Sequence, residues 1–267
     1  MPVRRSYVDL PFGQMHLRHA GKGAAAGRPP LLCLHMSPAS GLVYERFLDA
    51  MGHDRVAIAP DTPGFGQSDP LPEFPEIADY ARTMWSLVDA LALPGPVDLM
   101  GYHTGSLTIA EMARQAPDRA RRLILVSAPI YTEEERTALR ALYRPGPIFT
   151  ADGARLLELW RWFLVFFRVG QDNTLEDAAR IFYERLSGRE RHWWGHRAAF
   201  NYDLAPVLSA LPHRVTVLNP DDDLAANTPR AAPLLRDGRV LDLPAFTHGF
   251  LDTHTAEAAR LVRELLD

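Results

Sequence analysis

The sequence predicts an α/β protein: a mostly parallel sheet flanked by helices and interrupted once by a helical insertion. Three observations carry that expectation. Short, wholly apolar runs, Leu31-Leu32-Cys33-Leu34, Val56-Ala57-Ile58-Ala59 and Leu123-Ile124-Leu125-Val126, have the character of strands buried on both faces, and stretches of helical periodicity separate them. The run Val97-Asp98-Leu99-Met100 meets the helical stretch 106–115 through Gly101-Tyr102-His103-Thr104-Gly105, where small residues flank a tight turn. Between 131 and 205 the strand–helix rhythm stops, which divides the chain into a core, 1–130 with 206–267, and a helical cap, 131–205.

With 267 residues and 47% hydrophobic content, the chain can fill a sizeable core. Its 29 basic and 33 acidic side chains are well mixed and sum to −4, which points to a small-molecule ligand rather than nucleic acid or an acidic membrane surface. No stretch reaches the roughly 18 apolar residues of a membrane span, and a cytoplasmic protein is expected. The single cysteine, Cys33, sits within an apolar run, so an intrachain disulfide is excluded and a buried, quiet thiol is expected.

Residues 6–20 alternate apolar and polar around Pro11-Phe12-Gly13 and predict two antiparallel strands joined by a turn. A glycine- and alanine-rich loop over 21–28 leads to the strand at 31–34, which ends in His35-Met36-Ser37-Pro38. A helix at 41–51 and a strand at 56–59 follow, then Asp61-Thr62-Pro63-Gly64-Phe65-Gly66-Gln67-Ser68, a tight turn in which Asp61 and Ser68 supply local hydrogen bonds. Helical periodicity at 77–93 puts Tyr80, Met84, Leu87, Val88 and Leu91 on one side. The stretch 131–205 has breaks at 145–147, 170–173 and 188 and holds 14 of the 25 aromatic residues, more than a solvent-facing insertion requires. Beyond it come a strand at 215–218 ending in Asn219-Pro220-Asp221-Asp222-Asp223, a helix, a strand at 240–243, His248-Gly249 and a closing amphipathic helix at 255–267.

In this order the motifs resemble the α/β-hydrolase superfamily. Residues 61–68 look like its D-x-P-G-x-G-x-S loop, and 101–105 has the spacing of the G-x-S-x-G nucleophile elbow with histidine where serine belongs. The resemblance implies the α/β-hydrolase fold, with an eight-stranded, mostly parallel sheet and a helical cap. It assigns oxyanion-hole donors by position, the backbone N–H groups of Ser37 and Thr104, although Met36 replaces the usual glycine. The triad acid belongs to the loop after the strand at 215–218. Aligning Pro220 with the glycine of the family's G-x-x-D pattern selects Asp223, with Asp222 as the alternative, and His248 takes the position of the base.

The expected catalytic set is therefore His103, Asp223 and His248. An imidazole at the elbow can attack a carbonyl, or share with His248 the activation of water or a substrate hydroxyl. Ser106 fits the nucleophile poorly, because it falls in the first turn of the helix and points away from the strand's end. His35, Trp160, Phe163 and Trp194 are candidate pocket residues, with backbone orientation as the other reading of His35, and cap packing or a homodimer seam as the other reading of the aromatic residues. The expected function is an enzyme acting on a small, largely apolar carbonyl compound, an ester, lactone or diketone, by hydrolysis or lyase-like cleavage, without metal or other cofactor. The alternatives are a metal-dependent variant using His103 and His248, with His35 as a further ligand, and a catalytically silent ligand-binding module.

Overall fold

The computed structural model describes residues 2–21, 27–143, 145–171 and 173–267, so most of the expected 21–28 loop and part of the 170–173 break lie outside the described residues. Eight strands form one sheet: β1 (Arg4–Leu10), β2 (Gly13–Ala20), β3 (Leu31–Leu34), β4 (Ala57–Pro60), β5 (Val97–Tyr102), β6 (Ala120–Val126), β7 (Arg214–Pro220) and β8 (Asp237–Leu243). Their spatial order is β1-β2-β4-β3-β5-β6-β7-β8. The β1–β2 hairpin and the β2–β4 pair are antiparallel, and every later pair is parallel. The completely buried strands β3, β4 and β5 are the apolar runs, since a strand covered by helices on both faces has no solvent side to make polar.

The helices are α1 (Glu45–Met51), α2 (Ile77–Ala90), α3 (Thr104–Gln115), α4 (Glu133–Leu142), α5 (Ala154–Phe166), α6 (Leu175–Arg185), α7 (Trp194–Asn201), α8 (Leu204–Ala210), α9 (Phe250–Thr253) and α10 (Thr255–Leu266). The sheet divides the apolar interior in two. Tyr80, Met84, Leu87 and Val88 of α2 pack on one face with Ile109 and Met112 of α3, and Phe47, Leu48 and Met51 of α1 pack on the other with Ala258, Ala259 and Val262 of α10. Two expected helices differ, and the one expected at 41–51 begins as a 3₁₀ helix, Gly41–Tyr44, before α1. The segment after Asp223 forms a 3₁₀ helix, Thr228–Leu234, because Pro233 within it cannot donate to an α-helical ladder.

Helices α4 to α7 lie between β6 and the sheet-packed α8. They are tied to the core by ion pairs, Arg46 with Asp177 at 3.0 Å and Arg180 with Asp252. No helix among the described residues is long and apolar enough to cross a membrane.

Candidate active site

The elbow forms where β5 runs into α3. His103 sits between them at φ 50°, ψ −112°, a conformation costing on the order of 1–3 kcal/mol that persists only when its surroundings hold it. Close packing does so: a Cβ on Gly105 would collide with the Leu34 carbonyl oxygen, and one on Gly101 with the Gly105 backbone. Ser106 is completely buried and donates its hydroxyl to the Gly101 and Val126 carbonyls at 2.8 and 2.9 Å. It pins α3 to the sheet and faces away from the site.

Two loops flank the elbow. His35 Nδ1 donates to the Met36 carbonyl at 2.6 Å, and its Nε2 accepts from the Thr62 N–H at 2.8 Å. These bonds fix one neutral tautomer, and burial lowers the pKa of the ring, outweighing the opposite effect of the Met36 bond. His35 is 1% exposed and joins the Ser37 loop to the Asp61 loop from below. The Asp61 carboxylate is completely buried and accepts from the backbone N–H groups of Gly41 and Gln67 at 2.8 and 2.9 Å, while the Ser68 hydroxyl donates to the Asp61 carbonyl at 2.7 Å. Thr104 opens α3, so its N–H lacks an intrahelical partner, and the Ser37 N–H has no hydrogen-bond partner among the described residues.

Two carboxylates converge on two imidazoles. His248 Nε2 lies 2.9 Å from Asp223 Oδ1, and His103 Nε2 lies 2.9 Å from Asp222 Oδ2. The same Asp222 oxygen accepts the Ser127 hydroxyl at 2.5 Å, and Asp222 Oδ1 accepts the Leu224 N–H at 2.9 Å. The ring centroids of His103 and His248 are 5.7 Å apart. His248 lies 4.0 Å, centroid to centroid, from Phe166, and its Nδ1 is buried without a partner. The Asp222–His103 pair is the main feature that sequence reasoning missed. Its signal was the run Asp221-Asp222-Asp223 after β7, which offers more carboxylates at one turn than a single base needs.

Electrostatics follow from these pairings. Burial alone would lower the His103 pKa, but the carboxylates of Asp222 and then Asp223 outweigh it, and the net shift is upward. Burial works against ionisation of Asp223, yet its hydrogen bond from His248 and the nearby imidazoles hold the carboxyl down at about 2. One side-chain nitrogen or oxygen from each of His103, Asp222, Asp223 and His248 lies within 4.8 Å of the other three, so this quartet could hold a metal ion.

A cavity of about 400 Å³ opens above the elbow. His103, Asp223 and Ser37 form its floor, and Trp162, Phe166, Arg185 and Trp193 are among its walls. Of the pocket residues expected from the sequence, His35, Trp160, Phe163 and Trp194 are all absent from this lining. Helix α5 explains two of them. Trp162 and Phe166, four apart, face the cavity, while Trp160 and Phe163 lie on the other stripe and pack against Phe182 at 4.9 and 5.4 Å. Trp194 meets Phe74 edge-on at 6.1 Å, outside the cavity, whereas Trp193 stacks on Phe74 and also reaches the cavity wall.

A family model described as alpha/beta hydrolase fold matches residues 29–157. Among curated proteins, the 2-hydroxymuconate semialdehyde hydrolase of a Pseudomonas species is 30% identical over 139 residues, which cover 49% of this chain and 47% of that protein. A haloalkane dehalogenase of Mycolicibacterium paratuberculosis is 29% identical over 159 residues, 56% of this chain and 48% of that one. The chain thus spans about half the length of the curated relatives it matches. Over nearly full length, the fold is similar to the enol-lactonase from Burkholderia xenovorans LB400, with a TM-score of 0.80 at 18% identity and coverage of 98% and 99%. It is also similar to an esterase from Thermogutta terrifontis, with a TM-score of 0.74 at 22% identity and coverage of 98% and 97%. The protein has the α/β-hydrolase fold.

Proposed function

We propose that this protein hydrolyses a small, largely apolar carbonyl compound, an ester or lactone, with His103 as the nucleophile. The observation that carries this reading is the 2.9 Å bond from His103 Nε2 to Asp222 at the strained elbow position. With the Nε2 proton donated to Asp222, the lone pair of neutral His103 resides on Nδ1, which has no hydrogen-bond partner among the described residues. That lone pair attacks the carbonyl carbon, and the carbonyl π electrons move to oxygen, where the Ser37 and Thr104 N–H groups receive the charge. Collapse re-forms the carbonyl and expels the alkoxide, which takes its proton from His248, protonated at the start of the cycle and paired with Asp223, and an acyl-imidazolium remains at His103. His248, now neutral, then takes a proton from a water that attacks the acyl-imidazolium, which releases the acid and restores neutral His103 and protonated His248. The names of the similar proteins, among them a semialdehyde hydrolase and an enol-lactonase, support hydrolysis as the reaction type.

The test is chemical trapping. His248→Gln slows deacylation, so acid quenching of this variant with an activated aryl ester yields an acyl group on the peptide containing His103, detected by mass spectrometry. Turnover by the native protein with no adduct in the variant overturns the nucleophile assignment and makes His103 a base acting on water.

The quartet of His103, Asp222, Asp223 and His248 favours one second reading, a metal-assisted hydrolase. The hydrogen-bonded pairs argue against it, since each imidazole Nε2 already addresses a carboxylate rather than a shared centre. Gently purified protein is expected to hold no stoichiometric metal and to keep its activity in chelator. Zinc or manganese near one equivalent, with activity lost to chelator and restored by that metal, replaces the first reading with the second.

A further inference from the structure

Arg185, the last residue of α6, lines the cavity above the elbow. Its guanidinium carbon lies 5.4 Å from the ring centroids of Trp162 and Phe163 and 5.9 Å from that of Phe166. Aromatic faces attract such a cation, but they do not use its N–H donors. Among the described residues, Arg185 makes no hydrogen bond and has no carboxylate within ion-pair distance. The other acids of the cavity are engaged elsewhere: Glu158 pairs with Arg155 at 2.7 Å and Asp223 with His248. Burial presses the Arg185 pKa down to about 10, the expected effect on a desolvated cation without a close counter-ion. Its charge nevertheless reaches both His103 and Asp223, which puts the guanidinium within electrostatic range of the reacting centre.

We infer that Arg185 is a binding residue for a carboxylate carried by the substrate, so that the compound hydrolysed at His103 has an apolar body with an anionic end. A planar carboxylate accepts two parallel N–H bonds from the guanidinium fork and supplies the missing counter-ion, while Trp162 and Phe166 cover the apolar part. This assignment rests on the hydrolase reading of the same cavity and names its substrate class. Its test is equilibrium binding, which needs no turnover and therefore fails or succeeds independently of the chemistry at His103.

Calorimetric titration with phenylacetate, phenylacetamide and benzylphosphonate separates the outcomes. Native protein is expected to bind phenylacetate more tightly than the neutral amide. Arg185→Gln is expected to weaken the carboxylate by roughly 10- to 100-fold and leave the amide unchanged. Arg185→Lys, which keeps the charge but lacks the fork, falls between them and guards against a folding artefact, with unchanged melting temperature as the control. Equal phenylacetate affinity in native and folded Arg185→Gln protein overturns the inference. So does tighter binding of benzylphosphonate than of phenylacetate by native protein, which reassigns the anion from carboxylate to phosphoryl.

Discussion

Asp222→Asn is expected to lower turnover by on the order of 10³- to 10⁴-fold while the protein stays folded, the scale of loss seen when a triad base is left in the wrong tautomer. The carboxylate fixes the His103 proton on Nε2 at 2.9 Å and raises the ring's pKa, whereas an amide can donate to Nε2 and stabilises no cation. The pH dependence gives a second reading of the same variant. Reaction requires neutral His103, so native activity rises with pH through a midpoint above the ordinary imidazole value of 6.5. In Asp222→Asn that limb moves to lower pH even as the plateau falls. Stability has the matching sign. A base with a raised folded pKa stabilises the fold fully below its unfolded pKa, and the contribution is lost as pH rises through the folded pKa. A full-length pH–rate profile with unchanged midpoint and plateau in the variant would sink the role given to Asp222.

His103→Ser is expected to convert a protein that serine-directed fluorophosphonates leave untouched into one that they label at residue 103. The glycines that shape the elbow and the Ser37 and Thr104 amides are unaltered by the change, and the Asp223–His248 pair stands across the site. Some hydrolysis of activated aryl esters should accompany labelling. The gain is limited because serine leaves the space of an imidazole, which water enters. His248 must also reach the new hydroxyl from a ring whose centroid now lies 5.7 Å from that of His103. Labelling of the native protein at Ser106 would contradict its burial against the Gly101 and Val126 carbonyls. A folded His103→Ser variant that never reacts would show that His248 does not serve the elbow.

Local chemistry made most of the fold legible. The strand Leu31–Leu34 is continuous in sequence because it is covered on both faces, and the Asp61 loop shows its glycines and proline because the turn demands them. The pairing of Asp223 with His248 is equally local, since strands β7 and β8 end side by side. The partner of His103 was hidden because choosing one acid for one base left Asp222 without a task, and only the turn after β7 shows which way each carboxylate points. The cavity walls were hidden for another reason. Helix α5 carries two aromatic stripes, Trp160 with Phe163 and Trp162 with Phe166, and its sequence contains no information on which stripe packs against Phe182 of α6 and which faces the cavity. That is decided by how the helix docks, a long-range property.

The insert between β6 and β7 holds more than a roof. Asn173 donates to the carbonyl of His248 at 2.9 Å, and Gly195 at the start of α7 rests so closely on the Ser37 side chain that a methyl group there would strike its hydroxyl. The loop bearing the base and the loop offering an oxyanion donor are thus each fastened to the same segment that walls the cavity. Any displacement that admits a substrate also slackens the groups that would react with it, and reclosure tightens them together. On the proposed reading, entry and chemistry thus depend on one segment, and a substitution at Asn173 or Gly195, remote from any bond being broken, is expected to change kcat and KM together in steady-state kinetics.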